Sequence, residues 1–383
     1  MFKTLCLFAL LCFLSPSVCR AHGSFVYVTN YGDGTISQFR ERPNGTLAPL
    51  SPPTVKAHIL CHNLAIARGR FLYAVSARDW SRRHCLVSQF NIARDGRLTA
   101  LSPAQILVPG TPTIIAVEPS GQFAYVFTRE GMAVPFRIGI DGRLHPLSLL
   151  PVKVADAGGV TPIIGFDNTH NVLYGSYVVA WDDNVTSGTF ACFIKSNGQL
   201  DRLPGTGNSN NSQQPFSISM SPSGRYAYVV ESLRDKRLAT QWREVVAQYR
   251  THLGGSLTPL SPRTVTVETA GKSFADPTGH FLYLLYEKTN DINVTASYRL
   301  AYARMKRGGV LGKFAYQTLR APASLPPVQE FSLGFDAAGH FCYFVDGSYV
   351  YLFRCQSDGA LVPLHLSRIY AGYGPLGIIC VRR

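Results

Sequence analysis

The chain has 383 residues, 46% of them hydrophobic, with 34 Gly, 24 Pro and a formal net charge of +14. That much apolar material supports a large core, and so many turn formers argue against long helices and for short strands. The basic balance speaks to association with anionic lipid, polysaccharide or nucleic acid, and not to fold or activity.

Residues 1–21 read as a secretory signal: Lys3 supplies a positive start, residues 5–14 are apolar, and residues 15–21 are mostly small, with a cleavage site after Ala21. The apolar stretch is half the length of about 20 residues that a spanning helix needs, and no later stretch is long enough either, so no membrane span is expected. The expected location is periplasmic or secreted. Loss of Lys3 and Arg20 would lower the charge from +14 to +12 and leave six cysteines, Cys61, Cys85, Cys192, Cys342, Cys355 and Cys380. An exported chain permits disulfides, and Cys342 and Cys355 flank an expected hairpin; buried free thiols are the alternative.

From residue 22 onward one unit recurs seven times. Its anchor is the tyrosine in "FVYVTN" (Tyr27), "FLYAVS" (Tyr73), "FAYVFT" (Tyr125), "VLYGSY" (Tyr174), "YAYVVE" (Tyr228), "FLYLLY" (Tyr283) and "FCYFVD" (Tyr343), at spacings of 46 to 60 residues. A second landmark keeps step, from "NGTL" at Asn44 and "DGRL" at Asp95 to "DGAL" at Asp358. Asn-Gly and Asp-Gly supply the positive φ of tight hairpin turns, and the aromatic and β-branched runs have strand length. Each unit reads as four strands, a to d, with the tyrosine on b and the Asn/Asp-Gly turn between c and d. Repeats of this size and content describe an all-β, seven-bladed β-propeller of four-stranded blades occupying residues 22–383. The chain starts on a b strand and ends on "GPLGIICVRR", which matches strand a, so the two terminal strands are expected to pair in one blade and close the ring.

Two stretches break the pattern. In the b–c insertion of blade five, apolar residues at 238, 242, 245, 246 and 249 predict a helical face, with strand c as the alternative for the second half of the stretch. In blade six, "YRLAYARMKRGG" carries Arg299, Arg304, Lys306 and Arg307 among tyrosines, a pattern suited to a nucleic-acid strand or another anionic polymer.

The stretch "FVYVTNYGDGTISQF" followed by "NGTLAPLSP" resembles the YVTN-type, lactonase-like seven-bladed propellers, a group similar to bacterial 6-phosphogluconolactonase. The resemblance implies a monomeric propeller whose ligand is a small lactone or carbohydrate. The family pattern places a histidine eleven residues before the blade tyrosine; His62 stands eleven before Tyr73. In blade five the family's Pro-Arg-His becomes Pro215-Phe216-Ser217, and its Asn-Glu becomes Glu231-Ser232.

Strand order puts the d–a and b–c loops on one face, the expected functional mouth. His62, Glu231, Arg234, Lys272 and Glu330 all fall there, with Trp80 and Trp181 as stacking platforms. Lactone hydrolysis needs a base to activate water, for which His62 or Glu231 serves, and a cation against the developing oxyanion, for which Lys272 or Arg234 serves. Lys272 and Glu330 lie on neighbouring blades and are placed to pair across the channel. No nucleotide-binding fingerprint, haem motif or metal-ligand spacing is present, so no cofactor is expected. The alternative reading is a non-enzymatic propeller that binds polysaccharide, peptide or nucleic acid.

Overall fold

The structure is a computed structural model that describes residues 23–76, 85–148, 150–155, 163–167, 169–181, 184–204, 213–234, 242–288, 297–319 and 332–383. Seven antiparallel sheets stand in a ring. Blade one is built from Pro375–Arg382 as strand a, then Ser24–Asn30, Thr35–Glu41 and Leu47–Lys56 as b, c and d. Blade two runs Cys61–Ala67, Phe71–Ser76, Leu86–Ile92 and Leu98–Leu107 in the same order, and the other five repeat it. In blade three the outer strand is split into Leu144–Pro146 and Val152–Lys153. The first blade is completed by the end of the chain: Tyr27 lies opposite Ile379 and Val26 opposite Cys380. Sheet closure between the two ends removes the free edge that an open ring would leave.

Hydrophobic side chains gather in seven clusters, one at each blade–blade interface. Successive strand residues point to opposite faces, so each b strand feeds two interfaces. Tyr27 packs toward blade two, and Val28 packs back toward blade seven. The repeated tyrosine does more than pack. Its hydroxyl donates to the carbonyl of the c–d turn glycine in the next blade: Tyr27 to Gly96 (2.6 Å), Tyr73 to Gly142 (2.6 Å), Tyr125 to Gly198 (3.1 Å), Tyr228 to Gly309 (2.8 Å) and Tyr283 to Gly359 (3.0 Å). Tyr343 closes the circle on Gly45 at 3.1 Å. The glycine is required twice over. At Gly142 φ is +84°, and a Cβ there would stand 2.1 Å from the Phe71 ring of the preceding blade.

A second tie repeats beside the first. Gln38, on strand c of blade one, donates to Pro52 O in its own blade (2.8 Å) and accepts from Leu98 N in the next (2.7 Å). Gln89 and Gln248 do the same, to Pro103 O and Leu144 N and to Pro262 O and Leu311 N. These amides satisfy backbone groups that the outer-strand bulges leave unpaired.

Blade four departs from both rules. Val172 stands where other blades carry the ring that covers the glycine, and the Tyr174 hydroxyl is buried with no hydrogen-bond partner among the described residues. Among the described residues, the cluster between blades four and five is also the smallest of the seven, six buried residues.

The described part of the stretch 238–249, from Trp242 onward, is strand and not helix: Trp242–Thr251 is strand c of blade five, as the alternative reading of its second half had it, with Val245 to Gln248 buried on both faces. An apolar period of three to four is ambiguous where a strand is buried on both sides. Residues 235–241 lie outside the described residues, as do residues 1–22, where the secretory signal is expected. Cys342 and Cys355 are free thiols, not a disulfide, and so are Cys61, Cys192 and Cys380. Burial pushes the Cys61 thiol up to about 12 and raises the Cys342 thiol well above its ordinary range.

Removing the Tyr228 hydroxyl strands a buried carbonyl, which costs about 1–3 kcal/mol. Tyr228→Phe is therefore expected to lower the thermal midpoint by several degrees, whereas Tyr174→Phe, which removes an unpartnered hydroxyl, leaves it unchanged or raises it. Differential scanning calorimetry of the two variants side by side measures the difference.

Candidate functional site

The a–b and c–d turns share one face, because the end of each c strand is hydrogen-bonded to the a–b turn of its own blade, as Ile92 N to Arg70 O (2.7 Å) and Thr251 N to Arg225 O (3.0 Å). The mouth is the opposite face. There the b strands run out of the blades, ending three residues after the repeated tyrosine in blades one, two, three and seven and further on in the other three; the third residue after the tyrosine is polar in every blade: Asn30, Ser76, Thr128, Tyr177, Glu231, Tyr286 and Asp346. These side chains point toward the preceding blade and, Asp346 aside, are buried. The signal was present in the motif itself, whose fourth letter changes from Asn to Ser, Thr, Tyr, Glu, Tyr and Asp while staying polar.

Glu231 stands out within this ring. It is 1% exposed and shares its sheet face with Val229 and Ala247, which pack into the four–five interface. Oε2 accepts a hydrogen bond from Gln213, at the mouth end of strand a, while Oε1 is buried without a partner among the described residues. Burial raises the Glu231 carboxyl above the usual carboxylate range, against the opposing effects of the Gln213 amide and the Arg263 guanidinium. Ser232, the next residue, faces the other way and donates to Glu244, whose two oxygens both lie 2.6 Å from the hydroxyl. Burial raises Glu244 as well. Arg234 ends the same strand, exposed and opposite Trp242, which is itself 42% exposed. Gln213, Glu231, Arg234 and Trp242 thus come together on the rim of blade five.

His62 is placed differently. It is the extra residue of a bulge at the start of strand a in blade two, between Cys61 and Asn63. Its Nε2 lies 2.6 Å from Thr113 O in blade three and its Nδ1 lies 3.1 Å from Leu60 O. Both ring nitrogens lie against carbonyl oxygens, Thr113 O in blade three and Leu60 O beside its own strand; a ring with one N–H donates to one of them. Thr113 is the bulged residue of blade three and Phe216 that of blade five. Register therefore equates His62 with Thr113 and Phe216, and Asn63 with Ser217. The family spacing of eleven is met at His62 only because the a–b turn of blade two is one residue shorter: Ala67 pairs with Phe71, where Ser221 is bonded to Tyr226. The bulges carry no sequence signature, which is why counting missed this shift.

Lys272 opens strand a of blade six, half-buried and opposite Leu285, at the register position that Asn63 and Ser217 hold in their blades. Its neighbour Ser273 bridges to blade five through Ser217 Oγ at 2.7 Å and Ser219 Oγ at 2.9 Å. Lys272 and Glu231 thus belong to adjacent blades, while His62 is three blades away. Glu330 and Trp80 lie outside the described residues, and Trp181 ends strand b of blade four. The basic stretch of blade six is divided between faces: Arg299, near the mouth, pairs with Glu268 at 3.0 Å, whereas Arg304 reaches the turn face and donates to Ser357 O at 2.6 Å. Among the described residues no group of three or more His, Cys, Asp or Glu is arranged to hold a metal ion, and no helix is long and apolar enough to cross a membrane.

A raised carboxyl does not by itself mark the mouth. Glu41 lies on the turn face at the seam between blades seven and one, with Asp336, Tyr343 and Cys380 around it. Burial and the Asp336 charge push it up to about 7, against a hydrogen bond from Tyr343.

The fold and site define a seven-bladed β-propeller with a buried carboxyl at one mouth. No protein-family model matches the chain, and a search of curated proteins finds no match. Among solved structures the chain is similar to the periplasmic gluconolactonase PpgL of Pseudomonas aeruginosa, with a TM-score of 0.68 and 17% identity over 94% of this chain and 99% of that one. It is also similar to a protein of unknown function from Desulfotomaculum acetoxidans, with a TM-score of 0.63 and 12% identity over the same shares. At these identities the likeness is one of fold.

The Glu41 site carries a pH dependence of stability. Its pKa is raised in the fold, so the neutral form stabilises; that contribution is complete below its ordinary 4.5 and is lost as pH rises through about 7. Glu41→Gln is expected to raise the thermal midpoint at about pH 8 and to leave it unchanged at about pH 4. Thermal melts across that range, wild type against variant, check it.

Proposed function

We propose that the protein is an exported, lactonase-like hydrolase acting on a sugar-derived lactone, with Glu231 as the general base. The observation that supports this most is Glu231 itself. A base for water activation needs a pKa near the working pH, a fixed orientation and an unspent lone pair. Burial moves the carboxyl upward, in the direction of the first; Gln213 supplies the second, and Oε1, without a partner among the described residues, the third. In the proposed reaction Oε1 takes a proton from water as the water oxygen bonds to the lactone carbonyl carbon. The ring C–O bond then breaks, and the proton passes to the departing alkoxide to give the hydroxy acid. Arg234 and Lys272, on the same rim and the adjacent blade, supply positive charge against the oxyanion. His62 acts as a positioning residue that ties blades two and three beneath the mouth. The leader at residues 1–21 and the fold shared with a periplasmic gluconolactonase support export and the substrate class.

A second reading, a binding propeller without chemistry at the same mouth, draws on the placement of both His62 ring nitrogens against backbone carbonyls, which leaves one fewer base than the residue types promised.

Proton release from a panel of sugar and aliphatic lactones separates the two. The hydrolase is expected to lose about 100-fold or more in kcat with Glu231→Gln. Wild-type activity should fall as pH drops through a pKa above the ordinary carboxylate range, because the base is lost on protonation. His62→Gln should change KM and stability more than kcat. Turnover no faster than the spontaneous rate on every lactone would replace the hydrolase with the binding propeller.

A further inference from the structure

The face opposite the mouth carries a charge pattern that lactone chemistry does not use. On strand c, the residue paired with the first aromatic of the b-strand motif is arginine in five blades: Arg40, Arg137, Arg250, Arg304 and Arg354. All five are exposed. Three of them lie flat over the ring they pair with, Arg40 over Phe25 (5.5 Å), Arg304 over Phe281 (4.8 Å) and Arg354 over Phe341 (5.3 Å). That stacking holds the guanidinium groups at the same height around the disc. The acids of the same face are largely spent. Glu118, Asp276 and Asp336 are buried and accept backbone amides of their own a–b turns, and Asp95 is paired with Arg97 at 2.7 Å.

The outermost points of this face are the second residues of the c–d turns. Register around the ring makes them equivalent, and in blades two to six they read Arg94, Ile140, Ser196, Leu253 and Arg307. Ile140 is 91% exposed and Leu253 80% exposed. Two bare aliphatic tips flanked on each side by an arginine tip form an amphipathic arc on a flat, basic surface.

We propose that the turn face docks on the surface of an anionic lipid bilayer, with Ile140 and Leu253 entering the headgroup boundary and the arginines meeting lipid phosphates. Apolar tips amid basic residues are what interfacial binding requires. A linear polyanion would use the arginines but gains nothing from two solvent-exposed aliphatic side chains. A ring of charges at one height also matches a plane better than a strand. The proposal does not depend on the chemistry at the mouth.

Co-sedimentation with vesicles tests it, using residues 22–383, which hold all seven blades without the apolar leader. The protein should pellet with vesicles containing about 30% phosphatidylglycerol in phosphatidylcholine and stay in solution with phosphatidylcholine alone, because the attraction is to anionic headgroups. Binding should weaken sharply at about 1 M salt, where charge is screened beyond roughly 3 Å. The double variants Ile140→Ser/Leu253→Ser and Arg94→Glu/Arg307→Glu should each lower the partition coefficient about tenfold or more. Both change exposed turn tips, and circular dichroism confirms that the fold is kept. Glu231→Gln should bind as wild type. Equal binding to neutral vesicles, or no binding to either, overturns the proposal. Retention on heparin or single-stranded DNA that ignores Ile140 and Leu253, without vesicle binding, overturns it in favour of a soluble polyanion.

Discussion

The hydrogen bond from a b-strand tyrosine to a turn glycine of the next blade is the constraint on which the rest of the structure depends. A four-stranded blade has two apolar faces and cannot bury either alone. The tyrosine ring fills the interface, and its hydroxyl finds its partner only if the next c–d turn stands at one height and one angle. Each such bond is worth about 1 kcal/mol net, a small sum beside the apolar burial, but it converts burial into register. With six of seven in place, from Tyr27–Gly96 round to Tyr343–Gly45, the last blade has one position left in which its terminal strand can pair. The glutamines on the c strands repeat the logic further out, tying the backbone of one blade to a turn amide of the next.

The exception falls beside the candidate site. Between blades four and five the tyrosine hydroxyl has no partner among the described residues and valine replaces the covering ring. Glu231 is buried at the mouth end of that same interface. A carboxyl with one free oxygen in a poorly solvated seam is a stability cost. Proteins place such local conflicts where function requires them, and this one falls at the interface where the tyrosine tie is missing. The interface between blades five and six is tied by the serines 217, 219 and 273.

The blade count, the turn glycines and the closure between the first and last strands were legible in the sequence because each rests on a local demand: positive φ at Gly45 or Gly142, an aromatic ring beside it, a strand of fixed length. The mouth was legible as a face and in residue types, since topology alone assigns the b-strand ends to it. Its geometry was not. His62 was drawn to the family's histidine position by counting through the short turn at residues 68–70, and only the pairing of Ala67 with Phe71 shows that Asn63 holds that place. The strand Trp242–Thr251 imitated a helix because both of its faces are buried. The polar ring was visible in the motif's fourth letter, and Glu231 as a candidate base by its place beside the family's Asn-Glu, but the contrast in surroundings was not: Glu231 Oε1 is buried without a partner among the described residues, whereas Asp346 accepts from Tyr298 at 3.0 Å.

A buried Glu231, held out of the ordinary carboxylate range by the interface it occupies, is the centre of the functional account. Difference infrared spectroscopy against Glu231→Gln, recorded across a pH titration, observes the protonated carboxyl stretch of that residue directly. The account predicts a band, absent from the variant, that persists above the pH at which exposed carboxylates have ionised. A Glu231 signal that disappears within the ordinary carboxylate range would contradict it.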